Sequence, residues 1–465
     1  MTPDVCVRPG EKRLAIRLFV LIALSLGVGF LLRRVGFTFH QTVSTTVLLS
    51  AILGTLLFWE IRLAVVFVSA SVLFLTRVLT IKELVAYSSL DVILFLVGMM
   101  ILVAALEDMG LFAWLTHVAL HQKKVGGRMM MFQMCILSGV LSCVVDEVTS
   151  MMIMLAIIFQ LCSRLNVGAV PFVISSVLCT NVGSTGTMLG NPIGILIGLR
   201  AGLTFEDFIF HAFPLMLFLL VVAWLMLSFW FRKEVRELDA RIKLHLTQVI
   251  PKAPRLSPAA VVFLVVPLAL IGLHNQLELA MCLEKNTFLV LVPLVFAGII
   301  MFWKKERVQT YIETKVDWST LLFFIFLFIL AETLGHTGVA GKMGSNIVRL
   351  AGDSPWQLIA LVLLSSGILS AFLDNIIVVA SFIPVISSLG SAGIDISPLW
   401  WALLFGGCLG GNITMIGSTA NICALGALEK NNRGRVTFWE WLKVGLPLGL
   451  VTMLLAVAAL ALKNI

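Results

Sequence analysis

Charge is what this sequence has least of. Only 12% of its 465 residues are Asp, Glu, Lys or Arg, while 60% are hydrophobic; a soluble protein carries about 25% charged residues. So little polar surface cannot cover a water-soluble globule, which excludes that class. Short signatures of chemistry are missing too. There is no GxxxxGK[ST] loop to cradle ATP phosphates and no HExxH. The histidines His40, His117, His121, His211, His245, His274 and His336 are dispersed, which argues against an intramembrane enzyme. The cysteines Cys6, Cys135, Cys143, Cys162, Cys179, Cys282, Cys408 and Cys423 form no CxxC and lie mostly in apolar runs. That is the pattern of small packing residues, not of a disulfide or metal framework. A small-residue cleavage site is also lacking. The basic start (Arg8, Lys12, Arg13, Arg17) and the apolar run to Leu32 look like a secretion signal, but Arg33 and Arg34 follow. A retained first helix is expected.

What is present is a long series of apolar runs, each of roughly 20 residues, the length a helix needs to cross the hydrocarbon. They are too continuous for barrel strands. The fold expected is an all-α polytopic membrane protein of about eleven transmembrane helices. These run at 18–32, 43–59, 63–76, 92–106, 171–199, 208–231, 259–273, 288–303, 318–333, from 399 onward, and 442–462. The runs 111–120 and 339–350 read as interfacial. The runs 129–165 and 356–389 are either re-entrant hairpins or pairs of short crossings, the first turning near 145–147. With the N-terminus in the cytoplasm, most of the 33 Lys and Arg fall on the cytoplasmic side, Lys123 and Lys124 among them. The formal charge of +8 then reflects loops facing cytoplasm and anionic lipid, not nucleic acid.

The chain repeats itself. Asp146 and Asp374 stand 228 positions apart, Gly190 and Gly417 227, and Asp91 and Asp317 226. Near-equal offsets argue for duplication. The organisation expected is an N-terminal helix at 1–40, a first repeat at 41–231, a basic cytoplasmic linker at 232–256 and a second repeat at 257–465. Five crossings separate the two copies, so the second is inserted upside down. Inverted repeats commonly build secondary transporters with a site near the midplane.

Each copy brings a carboxylate and a glycine-rich polar stretch into apolar surroundings. Charge in hydrocarbon costs upward of about 2.5 kcal/mol and is retained mainly where it faces a cavity and works. Asp146 and Asp374 are the leading candidates to bind or exchange a coupling ion, with Glu147 behind them because its counterpart is Asn375. Asp91 and Asp317 sit at helix starts and read as end caps. The stretches NVGSTGTMLGNP (from Asn181) and GGNITMIGSTAN (from Gly410) cannot sustain a regular helix. A break at membrane depth is tolerated only where protein or a water-filled cavity satisfies the freed backbone. Its half-helix ends, with Ser, Thr and Asn oxygens, are natural ion sites.

These motifs resemble the ion transporter superfamily, which includes arsenite-efflux permeases, sodium/proton antiporters, citrate–metal and dicarboxylate/sodium carriers and the melanosomal P protein. The phrases that carry the resemblance are SCVVDEVTSMMIMLAI, NVGSTGTMLGNPIGILIGLRAGLTFEDF, SAFLDNIIVVASFIPVI and GGNITMIGSTANICALGALEK. The resemblance implies a scaffold part and a moving transport part with two re-entrant hairpins, tips at 146–149 and 374–376, and two discontinuous helices broken at 183–191 and 410–419. Ion and substrate ligands would then come from Asp146, Glu147, Thr149, Asn181, Gly183, Ser184, Thr185, Thr187 and Asn191 in the first copy. The second would offer Asp374, Asn375, Asn412, Thr414, Ser418, Thr419 and Asn421. Dicarboxylate/sodium carriers show Ser-Asn-Thr at both tips; here only Asn375 keeps that pattern, and the added carboxylates would repel a dianion.

The function expected is secondary active transport coupled to H⁺ or Na⁺. Cation/proton antiport leads, with arsenite or oxyanion efflux and citrate-type symport as alternatives. No cofactor is expected, and no metal beyond Na⁺ at the same residues. The expected partners are a small inorganic ion or anion and the bilayer of the cell membrane (plasma or inner). The resemblance adds a homodimer and, for an arsenite-type carrier, a separate ATPase subunit.

Overall fold

The structure is a computed structural model, and it describes residues 9–58, 61–120, 126–244, 256–351 and 354–463. Arg8, Cys6, Lys123, Lys124, His121, His245 and positions 245–255 of the basic linker lie outside the described residues, as does the side chain of His117. Every regular element among the described residues is helical. Among the described residues eight helices are long and apolar enough to span a bilayer, or ten if each of two bent pairs counts as one span. The chain is a multi-pass membrane protein. The chain divides into two compact units, and each draws on both sequence copies.

The first unit comprises Met1–Leu90, Asp317–Arg349 and Ile383–Ile394. Three of its helices start under side-chain caps. Thr38 and Gln41 form a capping box for Phe39–Leu57, and Thr80 and Glu83 one for Ile81–Tyr87. Asp317 accepts from Thr320 N at 3.1 Å to start Trp318–His336. That helix packs on Phe39–Leu57 and Arg62–Leu75. The Arg62 guanidinium ties the contact, donating to Thr320 Oγ1 at 2.9 Å and lying 5.1 Å from the Phe323 ring centre. Of the apolar window Ile16–Arg34 none is buried within the chain, as suits a helix with lipid around it.

The second unit comprises Asp91–Val316, Leu350–Phe382 and Asp395–Ile465. It holds two copies of one motif. In the first, the arm Gly127–Val144 turns into Glu147–Leu165 and packs on Val170–Gly183, which breaks and resumes as Pro192–Ala201. In the second, Pro355–Ser370 turns into the helix Asn375–Ser391, of which the part to Phe382 belongs to this unit, and packs on Ser397–Gly410, which breaks and resumes as Thr419–Lys430. Phe213–Trp230 backs the first copy, Phe438–Lys463 the second, and these two helices pack on each other. At the ends, Glu107 pairs with Lys315 at 2.7 Å, and Asp108 accepts from Tyr311 Oη at 2.9 Å. These contacts pin the pair Thr287–Trp303 and Lys305–Lys315, bent by 101°, to the end of Leu90–Asp108.

Candidate functional site

Both hairpin tips and both helix breaks lie in the second unit. The tips turn for a shared reason. At the first, Asp146 Oδ1 accepts from Val148 N and Thr149 N, each at 3.0 Å. At the second, Asp374 Oδ1 accepts from Ile376 N, also at 3.0 Å. A short acidic side chain at the N-cap satisfies amides that have no partner within the helix. Each aspartate therefore holds its tip in shape, and Thr149 enters through its backbone amide.

The breaks are built alike. A Cβ on Gly183 would overlap the backbone of Gly139, and one on Gly410 the backbone of Gly367, so glycine is required where helix and hairpin arm cross. Each break is tied to its hairpin by a threonine. Thr187 Oγ1 donates to the Cys143 carbonyl and Thr414 Oγ1 to the Ala371 carbonyl. The helices restart under caps: Asn191 Oδ1 accepts from Gly194 N at 2.9 Å, and Ser418 Oγ from Ala420 N at 3.2 Å. Pro192 follows the first cap, at a position where its missing N–H costs nothing.

The two copies meet through reciprocal contacts. Ser418 Oγ donates to Asn181 Oδ1 at 3.1 Å, and Asn191 Nδ2 donates to Cys408 Sγ at 3.0 Å. Asn191 is the repeat counterpart of Ser418, and Asn181 that of Cys408. A contact and its mirror image both occur, which is the mark of a two-fold relation. Around them lies a buried amide network. Asn181 Nδ2 donates to Asn412 Oδ1 at 2.8 Å and to Asn421 Oδ1 at 2.9 Å. Asn412 Nδ2 reaches the Leu178 carbonyl at 3.2 Å, and Asn421 Nδ2 the carbonyls of Gly411 and Thr414 at 2.8 and 3.0 Å. Trp441 Nε1 donates to the Asn412 carbonyl at 3.1 Å. The unwound backbone is thus satisfied by side chains from both copies.

Glu147 stands at the edge of this network and is only 4% exposed. Its Oε1 lies 3.4 Å from Ser418 Oγ, whose single proton has the nearer acceptor in Asn181 at 3.1 Å. Its Oε2 is buried with no hydrogen-bond partner among the described residues, and so is Oδ1 of the adjacent Asn375. Its charged neighbours are Asp374 and Asp146, both acids. Two of the three carboxylates are well supported: Asp146 by two amides, and Asp374 by an amide and by Thr419 Oγ1 at 2.8 Å. The third, Glu147, keeps one oxygen without a partner among the described residues. Glu147 Oε2 and Asn375 Oδ1 are two partnerless acceptors of this region among the described residues.

The structure thus gathers Glu147, Asn181, Ser184, Asn191, Asp374, Asn375, Asn412, Ser418 and Asn421 in one buried region, with the half-buried Thr419 at its edge. Ser184 Oγ donates to the Asn181 carbonyl at 3.0 Å and accepts from Asn191. Thr185 Oγ1 donates to the Val182 carbonyl of its own helix at 2.7 Å, and Gly183 serves packing. Sequence reasoning missed Gly139, Gly367, Cys408 and Trp441. The repeat offset finds the first three, since Gly139 and Gly367 are 228 apart and Cys408 is 227 beyond Asn181. Nothing local marks Trp441.

Comparison with known proteins bears on this geometry. A family profile described as "Citrate transporter" matches residues 48–406 and, in a second match, 288–465. An uncharacterized transporter of Mycobacterium tuberculosis is 29% identical over 380 residues, covering 80% of this chain and 86% of its own. The human P protein is 26% identical over 462 residues, covering 83% of this chain but 55% of its own. The crystal structure of the Alcanivorax borkumensis YdaH transporter, described as having an unusual topology, aligns with TM-score 0.58 over 82% of this chain and 86% of its own. At 13% identity that likeness concerns the fold alone.

Proposed function

From the premise that this chain belongs to the citrate transporter family of membrane transporters, we propose that it is a secondary active transporter in which Glu147 carries the coupling ion, H⁺ or Na⁺. The leading form is cation/proton antiport, in which the cargo is a cation moved in exchange for protons. One observation supports this above others: the buried Glu147 carboxylate has an orphan oxygen and only acids as charged neighbours. A buried charge without a partner is too costly to persist, so the group must take up a proton or a cation. Uptake on one side and release on the other is what coupling requires, provided the region opens alternately.

Helix ends bear on the sign of the cargo. Four helices start here, under Asp146, Asn191, Asp374 and Ser418. Their positive ends would favour an anion. Three carboxylates already answer that potential, and adding an anionic substrate would place like charges together. A second reading, favoured by the family description, is symport of citrate in a form neutralised by a bound metal cation. Arsenite efflux has no feature here that favours it. The N-terminus would face the cytoplasm, with the protein in the plasma or inner membrane.

Proteoliposomes under an imposed pH gradient test this, with ²²Na⁺, citrate with and without divalent metal, and arsenite as cargoes. Cation flux should follow the gradient in the wild type and fall to the leak level in Glu147→Gln. Retention of every coupled flux by that variant would falsify the assignment.

A further inference from the structure

A cavity of about 710 Å³ lies away from the repeat interface. Arg128, Arg232, Arg236 and Asp239 line it, over a wall containing Trp224 and Ser228. Among the described residues none of the three arginines is in an ion pair. The one acid is engaged: Asp239 Oδ1 accepts from Gly127 N at 2.9 Å. Two donors in the wall, Trp224 Nε1 and Ser228 Oγ, are buried without a partner among the described residues, and Ser228 is only 7% exposed. Three cations and two idle donors around one engaged carboxylate make a site for an anion.

The surroundings say which kind. The cavity sits where the apolar span Phe205–Trp230 passes into the charged helix Arg232–Leu244, the level of lipid headgroups. Leu225 and Phe229 of its lining are 53% and 70% exposed, as acyl-chain neighbours would be. The Arg232 guanidinium lies 5.5 Å from the Phe229 ring centre, so cationic head and apolar wall are continuous. We propose that this cavity binds the phosphate of an anionic phospholipid. Basic pockets between membrane helices recognise such headgroups. The bound lipid would brace the foot of the first hairpin. A Cβ on Gly127 would overlap the Val235 carbonyl and meet Asp239 N, so arm and charged helix touch backbone to backbone beside the site. The inference is independent of which ion the carrier moves.

The test uses the full-length protein in detergent, titrated with phosphatidylglycerol, phosphatidylcholine or inorganic phosphate, and reads binding and melting temperature. Phosphatidylglycerol should bind and raise the melting temperature, by about 2 °C or more, where phosphatidylcholine does not. Each single Arg→Gln change at 128, 232 or 236 should weaken binding about fivefold. R128K/R232K/R236K should retain most of the effect, which separates lost charge from lost fold. Equal phosphatidylglycerol binding by wild type and the Gln variants would overturn the site. A full response to inorganic phosphate alone would overturn the lipid assignment.

Discussion

At one hairpin tip the residue after the capping aspartate is Glu147; at the other it is Asn375. The framework around the two is built alike. The cap distance is 3.0 Å in both, a threonine ties each tip to its break, and paired glycines let each broken helix cross its hairpin arm. The scaffold is symmetric and the charge is not. Duplication explains the first fact by giving both copies one set of packing constraints. The second marks where the copies are free to differ, because the side chain after the cap holds neither the tip nor the break. That freedom fits a position that handles the ion and not the fold.

The sharpest way to test the comparison is to exchange the two residues. E147N/N375E moves the carboxylate to the other copy without changing composition. If the surroundings are equivalent, the single change Glu147→Asn should abolish coupled cation flux and the exchange should restore a substantial part of it. Measuring gradient-driven flux in both proteins, at matched insertion, decides this. An exchanged protein as inactive as the single variant would show that the symmetric frame does not extend to the ion's other ligands.

A second test addresses packing. Gly183→Val and Gly410→Val each drive a side chain into a facing glycine backbone. Neither backbone can yield as a flexible side chain would. Each should destabilise by about 3 kcal/mol or more, seen as a lowered melting temperature and poor recovery of folded protein. Equal losses would support equivalent crossings. A tolerated change in one copy alone would break the symmetry argument at that crossing.

The sequence shows some of this plainly and some not at all. Carboxylates within apolar runs stand out because hydrocarbon penalises them. The turn near 145–147 stands out by its paired acids, and the helix breaks stand out because Gly, Asn and Pro do not continue a helix there. What stays hidden is the allocation of lone pairs. Asp146, Glu147 and Asp374 look alike in sequence, and the aspartates look stronger because they match each other. In the fold, that match is a match of caps, and Glu147 is left with a buried oxygen that has no partner among the described residues. No local pattern reveals that Ser418 prefers Asn181, 237 residues away, to Glu147.

The smallest expected effect separates cap from carrier. Asn caps helices about as well as Asp, so Asp146→Asn should keep both amide bonds and shift stability by less than about 0.5 kcal/mol. Asp374→Asn should cost somewhat more, about 1 kcal/mol, because Asp374 is buried and its Oδ2 also accepts from Thr419. If the aspartates act as caps and Glu147 as the carrier, both variants melt close to the wild type and retain coupled flux. A D146N protein that melts normally yet transports nothing would reverse the roles. The matched aspartates, and not the unmatched glutamate, would then handle the ion.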